Sequence, residues 1–153
     1  THDAGRGLGV FSHDAGRRRI GEVPVIRVTV RGVPEAQARP RTFFAGGRAI
    51  THSPKSEWYK SVYRAGVAVR PAVPMDGPVE FRAIYLFPRP KTVKGFWKQT
   101  RPDLDNIDKA TLDALSKARW WVDDGRVCKL TSEKRYAGPG EEPGAEIMAC
   151  IIP

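Results

Sequence analysis

The sequence predicts a single small α/β domain of the α+β type, in which a mixed β-sheet packs with two main helices. Apolar patterns typical of strands occur near both ends of the chain and near its centre. Two segments between them carry apolar residues at helical spacing. A length of 153 residues suits one domain rather than two.

Three strand-like regions are expected between residues 23 and 87. Residues 23–32, "VPVIRVTVRG", alternate apolar and polar positions and are rich in β-branched residues, which predicts a strand. Residues 41–52 read as two short strands around Gly46-Gly47, and therefore as a hairpin. Residues 78–87, "PVEFRAIYLF", are apolar on both faces, which favours a strand buried in the centre of the sheet.

The first helix is predicted between the hairpin and the central strand. Ser53 offers an N-cap and Pro54 suits the first helical turn. Apolar side chains then recur at helical spacing, and Arg70-Pro71 marks the expected end, because a residue before proline disfavours helix. The residues of this apolar stripe are Trp58, Val62, Ala65 and Val69.

The second helix is expected from residue 104, after a loop over residues 88–102. Its inward side is assigned to Leu104, Ile107, Thr111, Ala114, Leu115 and Ala118. Asp105, Asp108 and Lys109 fall on another side of the same helix. The pattern therefore predicts that these three charged residues lie off the packing side of the helix.

The C-terminal part is predicted to complete the sheet. Residues 119–122, "RWWV", and 126–132, "RVCKLTS", resemble two strands on either side of Asp123-Asp124-Gly125, and residues 145–152 a final strand. Cys128 and Cys150 fall in these strands and are interpreted as buried, small apolar residues.

Composition excludes several classes of protein. A hydrophobic fraction of 41% supports a real core, yet no apolar run approaches a membrane span, so we expect a soluble protein with no membrane partner. Two cysteines are too few for a disulfide scaffold, which favours a cytoplasmic location. Residues 1–22 lack the apolar core of a secretion signal and are predicted to be a flexible tail.

Charge is distributed unevenly along the chain. Residues 36–102 hold thirteen basic residues against three acidic ones, a net charge of +10. Residues 103–153 hold seven basic and ten acidic residues, a net charge of −3. A basic body of this kind is partly a matter of solubility, but it favours a polyanionic partner such as DNA, whose phosphates would relieve the repulsion.

Three acids of the second half also have an ordinary explanation. Asp103 stands where a helix N-cap belongs, and capping is worth about 1 kcal/mol. Asp105 and Lys109 are four residues apart on a helix and suit a surface ion pair. Asp124-Gly125 between two strands is a strong hairpin-turn signal.

Taken together, these acids exceed what capping and turns require. Asp103, Asp105 and Asp108 precede Asp123 and Asp124 by one short helix. A helix start and a nearby turn that converge would supply the several oxygen ligands that a hard divalent cation needs. The spacing does not fit a calcium-binding EF-hand, because the required glycine and final glutamate are absent.

Three segments carry a family resemblance: "RPDLDNIDKATLDAL", the following "VDDGRV" and the upstream "VRGVPEAQARPRTFF". In these segments the chain resembles the RusA family of Holliday junction resolvases, which are commonly encoded by phages and prophages. The resemblance extends from about Val25 to Ile152 and implies that residues 23–153 form an endonuclease domain. It further implies a homodimer that cuts four-way, branched DNA with Mg²⁺, or with Mn²⁺ in its place, and without a small-molecule cofactor.

The resemblance also implies roles for individual residues. The catalytic, metal-binding acids of the family fall on Asp103, Asp105 and Asp124, and its essential lysine falls on Lys109. We interpret the lysine as stabilising the transition state or positioning water. Asp123 is interpreted as shaping the turn.

The loop at residues 88–102 is suited to hold DNA near these acids. It has five basic residues, no acid and the pair Phe96-Trp97, and aromatic rings can stack or wedge at a branch point. The alternative is a solvated loop whose rings cover the core. The predicted DNA-binding residues are Arg39, Arg41, Arg89, Lys91, Lys94, Phe96, Trp97, Lys98 and Arg101.

Two other functions remain open on sequence. A non-catalytic basic DNA-binding module would account for the basic body but not for the acids. A partner-binding phage or plasmid scaffold accounts for neither feature well. For the resolvase, coordinated cuts in two opposed strands predict a twofold dimer, and residues 58–69 or 145–152 are its expected interface.

Overall fold

A mixed four-stranded sheet and a separate hairpin are the β-structure of the computed structural model, which describes residues 24–153. The predicted tail, residues 1–22, lies outside these residues. In chain order the elements are β1 (Val25–Arg31), β2 (Arg41–Ala45), β3 (Arg48–His52), α1 (Glu57–Val69), β4 (Val79–Phe87), α2 (Leu104–Lys117), β5 (Val127–Tyr136) and β6 (Gly144–Ile151). A short 3₁₀ turn, Asp124–Arg126, precedes β5.

The sheet has the strand order β1-β6-β4-β5. β6 is antiparallel to both β1 and β4, whereas β5 is parallel to β4. The predicted mixed sheet and the central position of β4 are therefore confirmed. A parallel pair requires a crossover, and α2 supplies it, running from the end of β4 back to the start of β5.

The core lies where the two helices meet each other and the sheet. α1 contacts α2 and β1, and α2 contacts β5. Trp58 is fully buried, and its indole Nε1 donates to Thr111 Oγ1 at 3.1 Å. At Gly66 of α1, an added Cβ would lie 2.9 Å from a Leu115 methyl carbon, so glycine permits the close approach of the two helices.

The first helix begins later than predicted. Its N-cap is Ser56, whose hydroxyl accepts from the Tyr59 backbone N–H at 3.1 Å, and not Ser53. Ser53 and Pro54 instead form the exit from the hairpin. The predicted end is confirmed, since Arg70 is the C-cap.

The prediction that residues 119–122 form a strand is wrong. Arg119 has a φ of 66°, so the chain turns immediately after α2 and enters the core. Trp120 and Trp121 are both fully buried, and Trp121 forms only an isolated bridge with Met75. Asp124-Gly125 is consequently part of the 3₁₀ turn and not a hairpin turn between two strands.

Two smaller expectations concern the cysteines and membranes. Cys128 is exposed on the edge strand β5, contrary to the prediction, and Cys150 is half-buried in β6. In residues 24–153 no helix combines the length and apolar character needed to cross a bilayer.

Candidate active site

Asp103 and Asp105 lie at the N-terminal end of α2. Asp103 occupies the N-cap position, but its side chain makes no capping hydrogen bond. Asp105 is exposed in the first turn. Among residues 24–153 neither carboxylate has a hydrogen-bond or ion-pair partner, so the capping interpretation does not account for the Asp103 side chain.

Lys109 lies one turn further along α2 and is exposed. The ordinary interpretation was an ion pair with Asp105, but no such pair forms between these described residues. The ammonium is therefore free to meet an anion from outside the chain, beside two unpaired carboxylates.

Asp124 lies at the opposite end of α2. It starts the 3₁₀ turn that leads into β5, and the start of β5 pairs with the start of β4, whereas Asp103 follows the loop at the end of β4. The 14 residues of α2 lie between the two ends and span roughly 20 Å at ~1.5 Å per residue. The expectation that the helix start and the turn converge within one chain is therefore wrong.

Asp123 and Asp124 have different surroundings. The Asp123 carboxylate lies 3.7 Å from the guanidinium of Arg126, which is also paired with Asp76 at 2.9 Å. Asp124 has no side-chain partner among the described residues. Asp123 thus contributes to the turn, as interpreted from sequence, while the Asp124 carboxylate remains available.

A divalent cation fits the chemistry of these acids but not their arrangement in one chain. Exposed carboxylates without partners are the hard oxygen donors that Mg²⁺ prefers. Within residues 24–153, however, no group of three or more His, Cys, Asp or Glu side chains is close enough to hold a metal ion. Asp103 and Asp105 alone are fewer oxygen donors than a divalent cation needs.

Asp108 lies on the buried side of α2, whereas the sequence pattern predicted that it lies on another side. Its carboxyl is buried, with 5% of the residue exposed, and accepts from Tyr85 Oη at 2.7 Å and from Ser132 Oγ at 2.6 Å. Burial raises the pKa of Asp108 against these two hydrogen bonds, and nearby Asp105 raises it further. Asp108 has helical spacing to the buried residues Thr111 and Leu115, and this spacing is the sequence signal that could have indicated its burial.

Asp108 ties α2 to the two strands beneath it. Tyr85 belongs to β4 and Ser132 to β5, so the carboxylate fixes the first half of the helix over the parallel strand pair. Burial and the Asp108 charge raise the pKa of Tyr85, which keeps the phenol protonated as a donor.

Lys134 anchors the entrance to α2, and no sequence pattern indicated it. Its ammonium donates to the carbonyl oxygens of Thr100 and Pro102, each at 2.8 Å. The chain is therefore held to β5 immediately before Asp103.

The segment after β1 also lies against α2. The backbone N–H of Gln37 donates to the Asn106 carbonyl at 3.3 Å, and its side-chain amide donates to Asp113 at 3.0 Å. This contact brings the nearby Arg39 and Arg41, both exposed, toward the half of α2 that carries Asp105.

Two of the predicted DNA-binding cations hold the loop at residues 88–102 in place. Arg89 donates to the Gly95 carbonyl at 2.8 Å, and its guanidinium lies over the Tyr136 ring. Lys98 donates to Thr100 at 2.8 Å, and its ammonium lies over the Phe87 ring.

The other predicted residues of this loop are available to a ligand. Lys91, Lys94 and Arg101 are exposed and have no side-chain partner among the described residues. Phe96 is 42% exposed and Trp97 53%, so the alternative that these rings cover the core is wrong. Their rings form an edge-to-face pair with centroids 4.8 Å apart.

The chain is similar to known proteins over most of its length. Residues 31–149 match the family described as Endodeoxyribonuclease RusA. A Bacillus subtilis (strain 168) protein named Uncharacterized protein YqaN is 34% identical over 137 residues, which cover 80% of this chain and 94% of that protein. The Crossover junction endodeoxyribonuclease rusA of Lactococcus phage r1t is 42% identical over 38 residues, which cover 25% of this chain and 29% of that protein.

The family match spans most of the domain, from the end of β1 into β6, and includes both ends of α2. The resemblance to the RusA family, which rests on the acidic motif and on the upstream segment "VRGVPEAQARPRTFF", is thereby confirmed. The chain belongs to the RusA family of endodeoxyribonucleases, hydrolases that resolve crossover junctions in DNA.

Proposed function

We propose that this endodeoxyribonuclease resolves four-way DNA junctions by paired, Mg²⁺-dependent hydrolysis of two phosphodiester bonds, with Mn²⁺ as an alternative ion. The observation that carries the proposal is the contrast among the acids of the motif. Among the described residues Asp103, Asp105 and Asp124 have no side-chain partner, whereas Asp108 and Asp123 are bonded within the fold. Exposed carboxylates in a chain of net charge +9 repel DNA unless a cation lies between them.

A homodimer is part of the proposal, because one chain does not gather its own acids. Asp103 and Asp105 lie at one end of α2 and Asp124 at the other. A twofold dimer can bring Asp124 of one protomer to Asp103 and Asp105 of the second, and it does so twice. Two equivalent sites would match the two opposed strands of a four-way junction.

The expected interface regions differ in what they offer a second copy. Residues 145–152 largely coincide with β6, which is paired on both sides within its own sheet and offers no free strand edge. In residues 58–69, Tyr63 and Val69 are exposed on α1. We therefore favour α1 over β6.

In such a site the ion would be held by the three carboxylates, and when bound it would activate water and offset charge on the leaving 3′ oxygen. Lys109 lies one turn after Asp105 on α2 and would stabilise the added negative charge on the scissile phosphate. Lys134 and Asp108 touch neither DNA nor ion in this proposal. They hold the backbone and the helix that carry the acids.

The test is cleavage of a labelled synthetic four-way junction beside a linear duplex of matched sequence, with Mg²⁺ and with EDTA. The proposal expects paired, symmetric nicks in the junction only with the ion, and an intact duplex. A non-catalytic DNA-binding module would bind both DNAs, indifferent to Mg²⁺, and cut neither. Uncut junction in Mg²⁺ or Mn²⁺ would refute the catalytic proposal.

A further inference from the structure

The β2–β3 hairpin stands apart from the rest of the fold. All ten residues of its two strands are exposed, and within residues 24–153 no third strand joins its sheet. Phe44 is 81% exposed, Phe43 51% and Ile50 42%. A two-stranded hairpin is marginally stable in water, and exposed aromatic rings on it are typical of a binding surface.

The register places an apolar ring on each face of the hairpin. Phe43 pairs with Ile50 on one face, and Phe44 pairs with Ala49 on the other. Thr42 and Thr51 share a hydrogen bond of 3.1 Å, which holds the strands together below the rings. The rings therefore project from both sides of a thin arm.

Charge identifies the kind of partner. Residues 36–56 contain Arg39, Arg41, Arg48 and Lys55 and no aspartate or glutamate. The three arginines form no ion pair with the described residues. Two such arms from two copies of this chain would repel each other, whereas arginines beside exposed aromatic rings are suited to phosphates and unstacked bases.

The base of the hairpin lies beside the candidate active site. Gln37, four residues before β2, donates to the Asn106 carbonyl of α2, next to Asp105. Gln37 and Ser53 line one shallow pocket with Tyr59 of α1 and Ala110 of α2. A DNA strand that meets Asp105 and Lys109 is therefore within the neighbourhood of the arm.

We propose that the β2–β3 hairpin is a DNA-reading arm, in which Phe43 and Phe44 contact unstacked bases at a branch point while Arg41 and Arg48 contact the flanking phosphates. This inference rests on the proposed function, and it assigns preference for branched over linear DNA to the arm. Base–aromatic stacking is worth about 1–3 kcal/mol per base, so the rings have the strength to set that preference.

The experiment measures binding without cleavage. The full chain and its Phe43→Ser/Phe44→Ser variant are titrated in EDTA with a four-way junction and with a matched duplex. Both DNAs carry the fluorescent base 2-aminopurine, and in the junction this base is placed at the branch point. The arm predicts that the variant loses about tenfold or more of its preference for the junction, together with the fluorescence change at the branch. Phe44→Ala alone gives a smaller loss in the same direction.

Matched controls separate the arm from general effects. Val73 is 78% exposed and lies outside the arm, so Val73→Ser should leave preference and fluorescence unchanged. Arg41→Ala/Arg48→Ala should weaken binding to both DNAs and reduce the slope of log affinity against log salt by about 2. Melting curves should show that each variant is folded, because the replaced side chains are exposed.

Several outcomes overturn the inference. Unchanged junction preference in the double serine variant does so, as does a wild type that binds junction and duplex equally. A dimer that becomes a monomer in light scattering, with preference retained, would assign the rings to a protein interface instead. Because binding is measured in EDTA, absence of cleavage in Mg²⁺ refutes only the proposed function.

Discussion

The two ends of α2 carry the same kind of residue in different settings. At the N-terminal end, Asp103 and Asp105 stand exposed on a backbone that Lys134 holds against β5. At the C-terminal end, Asp124 stands exposed on a turn held by the Asp76–Arg126 ion pair. Each end presents exposed carboxylates on a braced backbone, and within the part of the chain that the structure describes neither end gathers three such ligands for an ion.

This comparison teaches that acids adjacent in a sequence motif need not be adjacent in space. A helix between them separates them by its full length, and in the proposed dimer a second copy would bring the two ends together. The two ends also show the difference between acids whose side chains are bonded within the fold and acids that have no side-chain partner among the described residues. Asp108 is bonded to two strands, whereas Asp105, one turn earlier, is bonded to nothing described.

The largest expected effect is on cleavage, when either end loses its free carboxylate. Asp105→Asn and Asp124→Asn should each reduce junction cleavage in Mg²⁺ by orders of magnitude, because a charged ligand is lost. Melting temperature and junction affinity in EDTA should be retained, since neither side chain has a partner among the described residues. Near-wild-type cleavage by Asp124→Asn would remove it from the ligand set.

Mixing these two inactive variants tests whether the ends meet across a dimer. A mixed dimer holds one site with both mutations and one site with none, so co-refolded protein should regain nicking of one strand. If each site lay within one chain, every site in the mixture would carry a mutation. Activity would then stay at the level of the separate variants.

A smaller effect is expected on stability at the acid that is buried. Asp108→Ala leaves Tyr85 and Ser132 without their acceptor, which should lower the free energy of unfolding by about 2–4 kcal/mol in urea titrations. Asp123→Ala, at the other end of α2, removes only an exposed ion pair and should cost less than about 1 kcal/mol. Equal losses would contradict the distinction between the two acids.

The anchor before Asp103 should matter less for folding than for catalysis. Lys134→Met removes two hydrogen bonds to Thr100 and Pro102, for an expected loss of about 1–3 kcal/mol in stability. Cleavage should fall further than junction affinity, because the backbone that positions Asp103 is released. Lys117→Met, at the other end of α2, is the control and should change neither.

We expect the basic loop to divide into cations that bind DNA and cations that brace the loop. Lys91→Ala/Lys94→Ala should flatten the slope of log affinity against log salt by about 2 and leave the melting temperature unchanged. Lys98→Ala should lower the melting temperature, because its ammonium lies over the Phe87 and Tyr136 rings. An unchanged slope in the first variant would show that this loop is not on the DNA.

The smallest expected effect is on acid stability, away from both ends of α2. Hydrogen bonds from Arg135 lower the pKa of Glu141 to about 2. A lowered carboxyl pKa stabilises the fold above the unfolded value of about 4.5, and that contribution is lost as pH falls from there toward 2. Glu141→Gln should therefore show a shallower loss of stability across this interval in pH-dependent melting.

Asp108 should act in the opposite direction in the same experiment. Its pKa is raised by burial, so its protonated form is favoured in the fold. Its contribution is therefore fully present below its unfolded pKa and is lost as pH rises through the folded value. Asp108→Asn should remove this opposing slope and leave the slope from Glu141.

Sequence by itself determined most of the elements and the family. Apolar periodicity located β1, β4 and α2, the Gly46-Gly47 pair located the hairpin, and Arg70-Pro71 ended α1, because each signal acts within a few residues. Tertiary structure alone decided which acids are free. Three features depend on how α2 packs on the sheet: the burial of Asp108, the hydrogen bond from Lys134 to Pro102, and the positions of Asp103 and Asp124 at opposite ends of α2. No local sequence pattern encodes that packing.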